Sequence, residues 1–215
     1  SNFKYSLGGI ITLPHKLHYT EADGLPSSKI TCVLEDKQRN LWVGTRDAGI
    51  AVLLNGASKF EARSLSDLSL SNNINALAQG KDNLLWIATT DGAFSLDPAT
   101  GKTNYYGTQN KLPHNNIYDI FSDKSGKVWF ATHTNRLAFF DGKNIETREV
   151  TDHGEIPNIT CIKQDKQGIF WLGTDGMGLY RFDGEKYKQF NKLDGLQSNY
   201  VYNLVIDHYG HVWTT

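Results

Sequence analysis

Five tryptophans, Trp42, Trp86, Trp129, Trp171 and Trp213, divide the 215 residues at intervals of 44, 43, 42 and 42, and none lies outside the series. A nearly constant period of this length marks a repeat architecture, which constrains the fold more than any local propensity. The clearest copy runs from Asn158 to Gly184. Ile159 to Gln164 is β-branched and apolar, and Asp165-Lys166-Gln167-Gly168 is a tight turn in which the aspartate can cap backbone amides. Ile169 to Thr174 forms a second strand, and Asp175-Gly176-Met177-Gly178 turns the chain again. Leu179 to Phe182 is a third strand, and Asp183-Gly184 signals a hairpin into a fourth, Tyr187 to Phe190. Four short antiparallel strands per repeat define a propeller blade, so the fold class is all-β, a β-propeller of four-stranded antiparallel blades.

The repeats fall at about 21–66, 67–108, 109–151 and 152–192. Residues 193–215 supply the first two strands of a fifth unit. Residues 1–20 resemble the back half of one, with Gly8 to Thr12 matching Ala48 to Val52 and Lys16 to Thr20 matching a fourth strand. The expectation is five blade-equivalents in a single domain over 1–215, four full and one composite from both termini; the alternative is an arc of a larger ring. No window sustains a helical period.

The tryptophans are read as structural packing between blades. An indole buried there contributes about 4 to 6 kcal/mol of gross hydrophobic stabilisation, as an upper bound. Cys32 and Cys161 each stand third in a first strand of non-neighbouring repeats, too far apart for a disulfide, and are read as small buried hydrophobes. They leave the redox compartment open.

A net charge of −1 without a basic cluster argues against a nucleic-acid partner. No apolar run is long enough for a membrane span, and the start has neither the basic opening nor the apolar core of a signal peptide.

Written out, the unit Asn-x-Ile-x-x-Ile-x-x-Asp-x-x-Gly-x-Phe-Trp-Leu-Gly-Thr, continuing to Gly-Leu-x-x-Phe-Asp at Asp183, resembles the two-component regulator propeller repeat. Asp23-Gly24-Leu25 and Asp194-Gly195-Leu196 match its linker. The departures are Lys81-Asp82-Asn83 without the turn glycine, His133 to Arg136 in place of a Gly-rich turn, and Trp213-Thr214-Thr215 without the glycine. The resemblance implies a periplasmic, extracytoplasmic sensor of a bacterial two-component receptor, with a histidine kinase or cyclic-dinucleotide output outside this chain. The implied partners are a small-molecule or glycan ligand and other domains of the same receptor, as a monomer or a dimer.

No catalytic motif, cofactor or metal site is expected. None of the seven histidines has the His-Glu-x-x-His spacing, and Gly173 to Gly178 leads into a strand where a phosphate loop needs a helix. This fragment is therefore read as a binding module and not as an enzyme. The rivals are a streptogramin-lyase-like propeller, with His133 and Asp175 as its candidate groups, and a protein-interaction scaffold. In a propeller the strand two–three turns and the blade-to-blade links emerge on one face around the central channel. Those segments carry Arg46, Asp47, Asp91, His114, Asn116, His133, Arg136 and Asp175, near Tyr118 and Tyr202, a set suited to hydrogen-bonding and stacking a sugar.

Overall fold

The structure, a computed structural model, describes residues 18–63, 72–149 and 158–215. Four sheets have four antiparallel strands each, paired in chain order. The first holds β1 (Ile30–Glu35), β2 (Leu41–Thr45), β3 (Ile50–Leu53) and β4 (Glu61–Arg63). The second holds β5 (Ile74–Gln79), β6 (Leu85–Thr89), β7 (Gly92–Leu96) and β8 (Thr103–Tyr106). The third holds β9 (Ile117–Ser122), β10 (Val128–Thr132), β11 (Arg136–Phe140) and β12 (Ile145–Glu149). The fourth holds β13 (Ile159–Gln164), β14 (Phe170–Thr174), β15 (Leu179–Phe182) and β16 (Tyr187–Phe190). A fifth sheet pairs β17 (Leu204–Ile206) with β18 (Val212–Thr214).

The first strands of the blades, β1, β5, β9, β13 and β17, pack side by side in that order. Among the described residues no comparable packing joins β17 back to β1, and the blades form an open arc. Ile30 and Val33 are exposed at one end, and Val205 and Trp213 at the other. The strands expected from Gly8 to Thr12, with His15 and His153, lie outside the described residues. Of the fourth strand expected at Lys16 to Thr20, residues 18–20 are described and take no part in a sheet.

The first four tryptophans each pack on the blade that follows. Trp42 clusters with Leu85, Ile87 and Phe94, Trp129 with Phe170 and Phe182, and Trp171 with Val201, Leu204 and Val212. Trp42, Trp86 and Trp129 are buried, and Trp171 is half-buried. Trp213 departs from the expected burial at 62% exposure, because no described blade follows β18 to cover it.

The turns follow the chemistry of their residues. Asp36 Oδ1 accepts the Gln38 and Asn40 amides at 2.9 and 2.8 Å, and Asp165 Oδ1 accepts those of Gln167 and Ile169, both at 2.9 Å. The position filled by Gly126, Gly168 and Gly210 has positive φ, and in the second repeat Asn83 takes it at φ 65°. The Asp-Gly-Leu links close single 3₁₀ turns, Glu21–Asp23 and Lys192–Asp194. In the first, Asp23 Oδ2 accepts the Thr20 amide at 2.9 Å. Gly24 is required there: its φ is 89°, and a Cβ would lie 2.1 Å from the Phe60 carbonyl oxygen.

Candidate functional site

The repeat places equivalent residues on one rim. The residue after each second strand is Arg46, Thr90, His133 or Asp175. Its amide donates to the carbonyl just before the first strand: Arg46 to Lys29, Thr90 to Asn73, His133 to Asn116 and Asp175 to Asn158, at 2.9 to 3.3 Å. These bonds hold the backbone of four equivalent residues, one per blade, at the same place in each sheet.

On the inner side of the arc lies an open cavity of about 510 Å³, within the range of small-ligand sites. Thr31 and Arg46 of the first blade line it, with Asn75, Tyr118, Thr160 and Tyr202 from the next four. Two phenols, two hydroxyls, an amide and one guanidinium therefore converge on a single space.

The phenols are held by partners on the rim. Tyr118 Oη and His133 Nδ1 are 2.5 Å apart, and the His133 ring lies 5.7 Å from that of His114. Tyr202 donates to Asp175 Oδ1 at 2.9 Å, and its ring stacks on Tyr200 at 6.5 Å. Burial, followed by the Asp175 charge, raises the Tyr118 phenol pKa. For Tyr202 the hydrogen bond to Asp175 is the main cause of the rise. Both stay protonated near neutrality; with the Tyr202 proton given to Asp175 and the Tyr118 hydroxyl paired with His133, each can accept from a ligand hydroxyl or present a ring face.

Among the residues expected at the mouth, Arg46 lines the cavity, His133 and Asp175 bond the tyrosines that line it, and the His114 ring lies beside that of His133. Asn116 links them through its backbone, its amide donating to His114 Nδ1 at 2.9 Å. The other three find partners away from the cavity. Asp47 pairs with Lys29 Nζ at 2.6 Å, and Arg136 with Glu149 across β11 and β12 at 3.5 Å. Asp91 lies near Tyr105 of β8, where its charge adds to burial in raising that phenol pKa. Thr31, Asn75 and Thr160 were not singled out from the sequence. Their signal was positional, since each follows the isoleucine that opens a first strand, as Tyr118 does, and Tyr202 follows Val201 in the same way.

Among the described residues no three His, Cys, Asp or Glu side chains converge where a metal ion would sit. His133 and Asp175 are engaged separately, by Tyr118 and by Tyr202. Both cysteines are free thiols. Burial is the main cause that pushes the Cys32 thiol up to about 11 and Cys161 up to about 12, which leaves both un-ionised and poor nucleophiles at neutral pH. No helix among the described residues is long and apolar enough to cross a membrane.

Residues 24–47, 69–91, 111–134 and 155–176 match the family model of the two component regulator propeller. No curated protein matches the chain. Among solved structures, the chain is similar to the extracellular domain of the hybrid two component system BT3049 from B. thetaiotaomicron. The TM-score is 0.73 at 21% identity, over 86% of this chain and 26% of that one. A streptogramin B lyase gives 0.70 at 15% identity, over 89% of this chain and 63% of that one. Inactive H270A virginiamycin B lyase from Staphylococcus aureus, solved with quinupristin, gives 0.62 at 15%, over 77% and 57%. The chain thus spans between about a quarter and under two thirds of these proteins, and at such identities the shared feature is the propeller fold.

Proposed function

We propose that this chain, built of two-component regulator propeller repeats, is a sensing region that binds a small ligand in its central cavity and passes the signal to an output domain outside the chain. The observation that carries the reading is the convergence of Arg46, Asn75, Tyr118, Thr160 and Tyr202, from five successive blades, on one space of about 510 Å³. A ligand there touches every blade, so its binding energy acts on the blade-to-blade geometry, the quantity a propeller can transmit. The likeness to an extracellular domain of a two-component system supports an extracytoplasmic, periplasmic location and a receptor with further domains.

Hydroxyls, an amide and exposed aromatic rings suit a carbohydrate, which offers many hydroxyls and a flat apolar ring face. The lyase likeness is one of fold. The two groups a lyase-like reaction would draw on, His133 and Asp175, sit on different blades with different phenol partners.

Calorimetric titration with a panel of neutral and acidic oligosaccharides tests the reading. At least one member binds, and Tyr118→Ala and Tyr202→Ala each abolish that binding while the melting temperature stays within a degree or so. Arg46→Ala and His133→Ala weaken it. Binding that survives both tyrosine substitutions would put the ligand elsewhere, and an entirely silent panel would remove the carbohydrate.

A further inference from the structure

The register of every four-stranded sheet slips at the same place. In the first blade Ile30 pairs with Thr45 and Cys32 with Gly44, so Thr31 is left out of the ladder. The same slip leaves out Asn75 between Ile74 and Ala76, Tyr118 between Ile117 and Asp119, and Thr160 between Ile159 and Cys161. Each is the extra residue of a β-bulge, a device that re-aims one side chain without ending the strand. These four residues, with Tyr202 at the same repeat position, line the cavity together with Ile30 and Arg46. The residue before them is always isoleucine or valine, and in the second to fifth blades it is buried. The bulged residue is Thr, Asn, Tyr, Thr or Tyr, so it is free to vary with what it touches.

The charges at this ring stand apart, a guanidinium on the first blade and the Asp175 carboxylate behind Tyr202 on the far side of the arc. Arg46 is the single charged residue lining the cavity, and among the described residues its guanidinium has no ion-pair partner. The neighbouring Asp47 and the acids Asp119 and Asp175 of the later blades have other partners. Asp47 is held by Lys29, Asp119 accepts from the Ile162 amide and from Lys163 at 2.9 and 2.7 Å, and Asp175 accepts from Tyr202. A planar guanidinium left open in a partly enclosed space is a carboxylate receptor. Across the arc Asp175 keeps spare acceptor capacity for hydroxyls, as do Asn75 and Thr160 for hydroxyls or an amide.

We propose that the cavity takes a uronic-acid residue of an acidic oligosaccharide, its carboxylate on Arg46 and its hydroxyls on the bulge-position side chains and Asp175. Tyr118 and Tyr202 supply the ring contacts. This assignment rests on the central cavity being the sensing site, and it adds the ligand class and the residue in each blade that selects it.

The test is calorimetry on the full chain with oligogalacturonate, oligoalginate and hyaluronan fragments, each beside its carboxyl-reduced neutral twin. At least one acidic probe binds, and its twin binds about tenfold more weakly or worse, the loss expected when a guanidinium loses its carboxylate. Added NaCl weakens the acidic probe and leaves the twin unchanged. Arg46→Gln brings the acidic probe down to the level of its twin, whereas Arg46→Lys keeps part of the preference. A twin that binds as well as the acid, or an Arg46→Gln chain that still prefers the acid, overturns the uronate assignment, and so does a panel in which no acidic probe binds. Neutral oligosaccharides that bind and are lost in Tyr118→Ala would leave the cavity as the sensing site with another ligand class. Acidic probes indifferent to both tyrosine substitutions would remove the cavity as well.

Discussion

Trp42 Nε1 donates to Asp36 Oδ2 at 2.9 Å, joining the two ends of the turn between the first and second strands of the first blade. The bond recurs as Trp129 to Asp123, Trp171 to Asp165 and Trp213 to Asp207, at 2.8, 3.1 and 3.0 Å. The tryptophan is thus more than a packing residue, since it also anchors the carboxylate that organises the turn. In Asp36→Ala the buried indole, the Asn40 side chain and two backbone amides lose their acceptor together. The expected cost is about 2 to 4 kcal/mol, from one buried and three part-buried donors left unpaired. Urea unfolding followed by tryptophan fluorescence measures it, and a loss below about 0.5 kcal/mol would show that water replaces the carboxylate.

The second blade supplies the converse. Gly80 stands where the other repeats have aspartate, and the Trp86 indole nitrogen is buried without a partner. A Cβ at Gly80 would lie 3.2 Å from that nitrogen but only 2.3 Å from Asp82 Oδ1. Gly80→Asp alone therefore crowds two carboxylates. Combined with Asp82→Ser, which copies the Asp123-Lys124-Ser125 turn, it gives Trp86 its acceptor. The double substitution should raise stability by about 1 kcal/mol, the net value of one hydrogen bond with relief of a buried orphan donor. The denaturation midpoint checks this, and a lowered midpoint would mean that the glycine is needed for the backbone of this turn.

Acid sensitivity follows from the same turns. Burial alone would raise the Asp36 and Asp123 carboxyl pKa values, but the hydrogen bonds they accept, from Trp42 and Asn40 and from Ser125 and Trp129, outweigh it and hold both below the ordinary range. A carboxyl depressed in the folded state contributes stability that is complete above its unfolded pKa, about 4, and is lost as the pH falls toward the folded value. Stability should be flat from neutrality to about pH 5 and decline below about pH 4. Asp36→Asn should be less stable at neutral pH yet lose less on acidification. Parallel acid limbs in the two chains would show that other groups govern the decline.

Most of the blade was legible in the sequence because its signals are local. The strands expected at 159–164, 169–174, 179–182 and 187–190 are β13 to β16 to within one residue. Cavity-lining residues were harder to see, because a bulge depends on the pairing register, which one strand's sequence does not carry. Thr31 and Thr160 read as ordinary strand residues until Cys32 is seen opposite Gly44 and Cys161 opposite Gly173. Arg46, His133 and Asp175 were legible because the repeat superposes them. Asp47 and Asp91 lie in the same turns and Arg136 opens β11, but Asp47 pairs with Lys29, Asp91 lies near Tyr105 and Arg136 pairs with Glu149, and turn chemistry alone does not show which way each one faces.

The first-strand cysteines each stand opposite a glycine of the second strand. Cys32 faces Gly44 and Cys161 faces Gly173, whereas the second and third blades pair Ala76 with Ala88 and Asp119 with Ala131. Glycine appears where the first strand carries sulfur. A Cβ at Gly44 would sit 2.6 Å from both Cys32 Sγ and Ile74 Cγ2, closer than packed atoms come. Since φ at Gly44 is not in the left-handed region, the penalty of Gly44→Ala is one of volume and not of backbone strain. It should destabilise the chain by about 1 to 3 kcal/mol, the usual cost of overpacking. Cys32→Ala in the same chain recreates the alanine pair of the second blade and should recover part of that loss, with Ile74 retaining the rest. The four chains of this double-mutant cycle give a coupling energy from their urea midpoints. A coupling near zero would mean that the sulfur moves aside freely and that the glycine answers to Ile74 of the neighbouring blade alone.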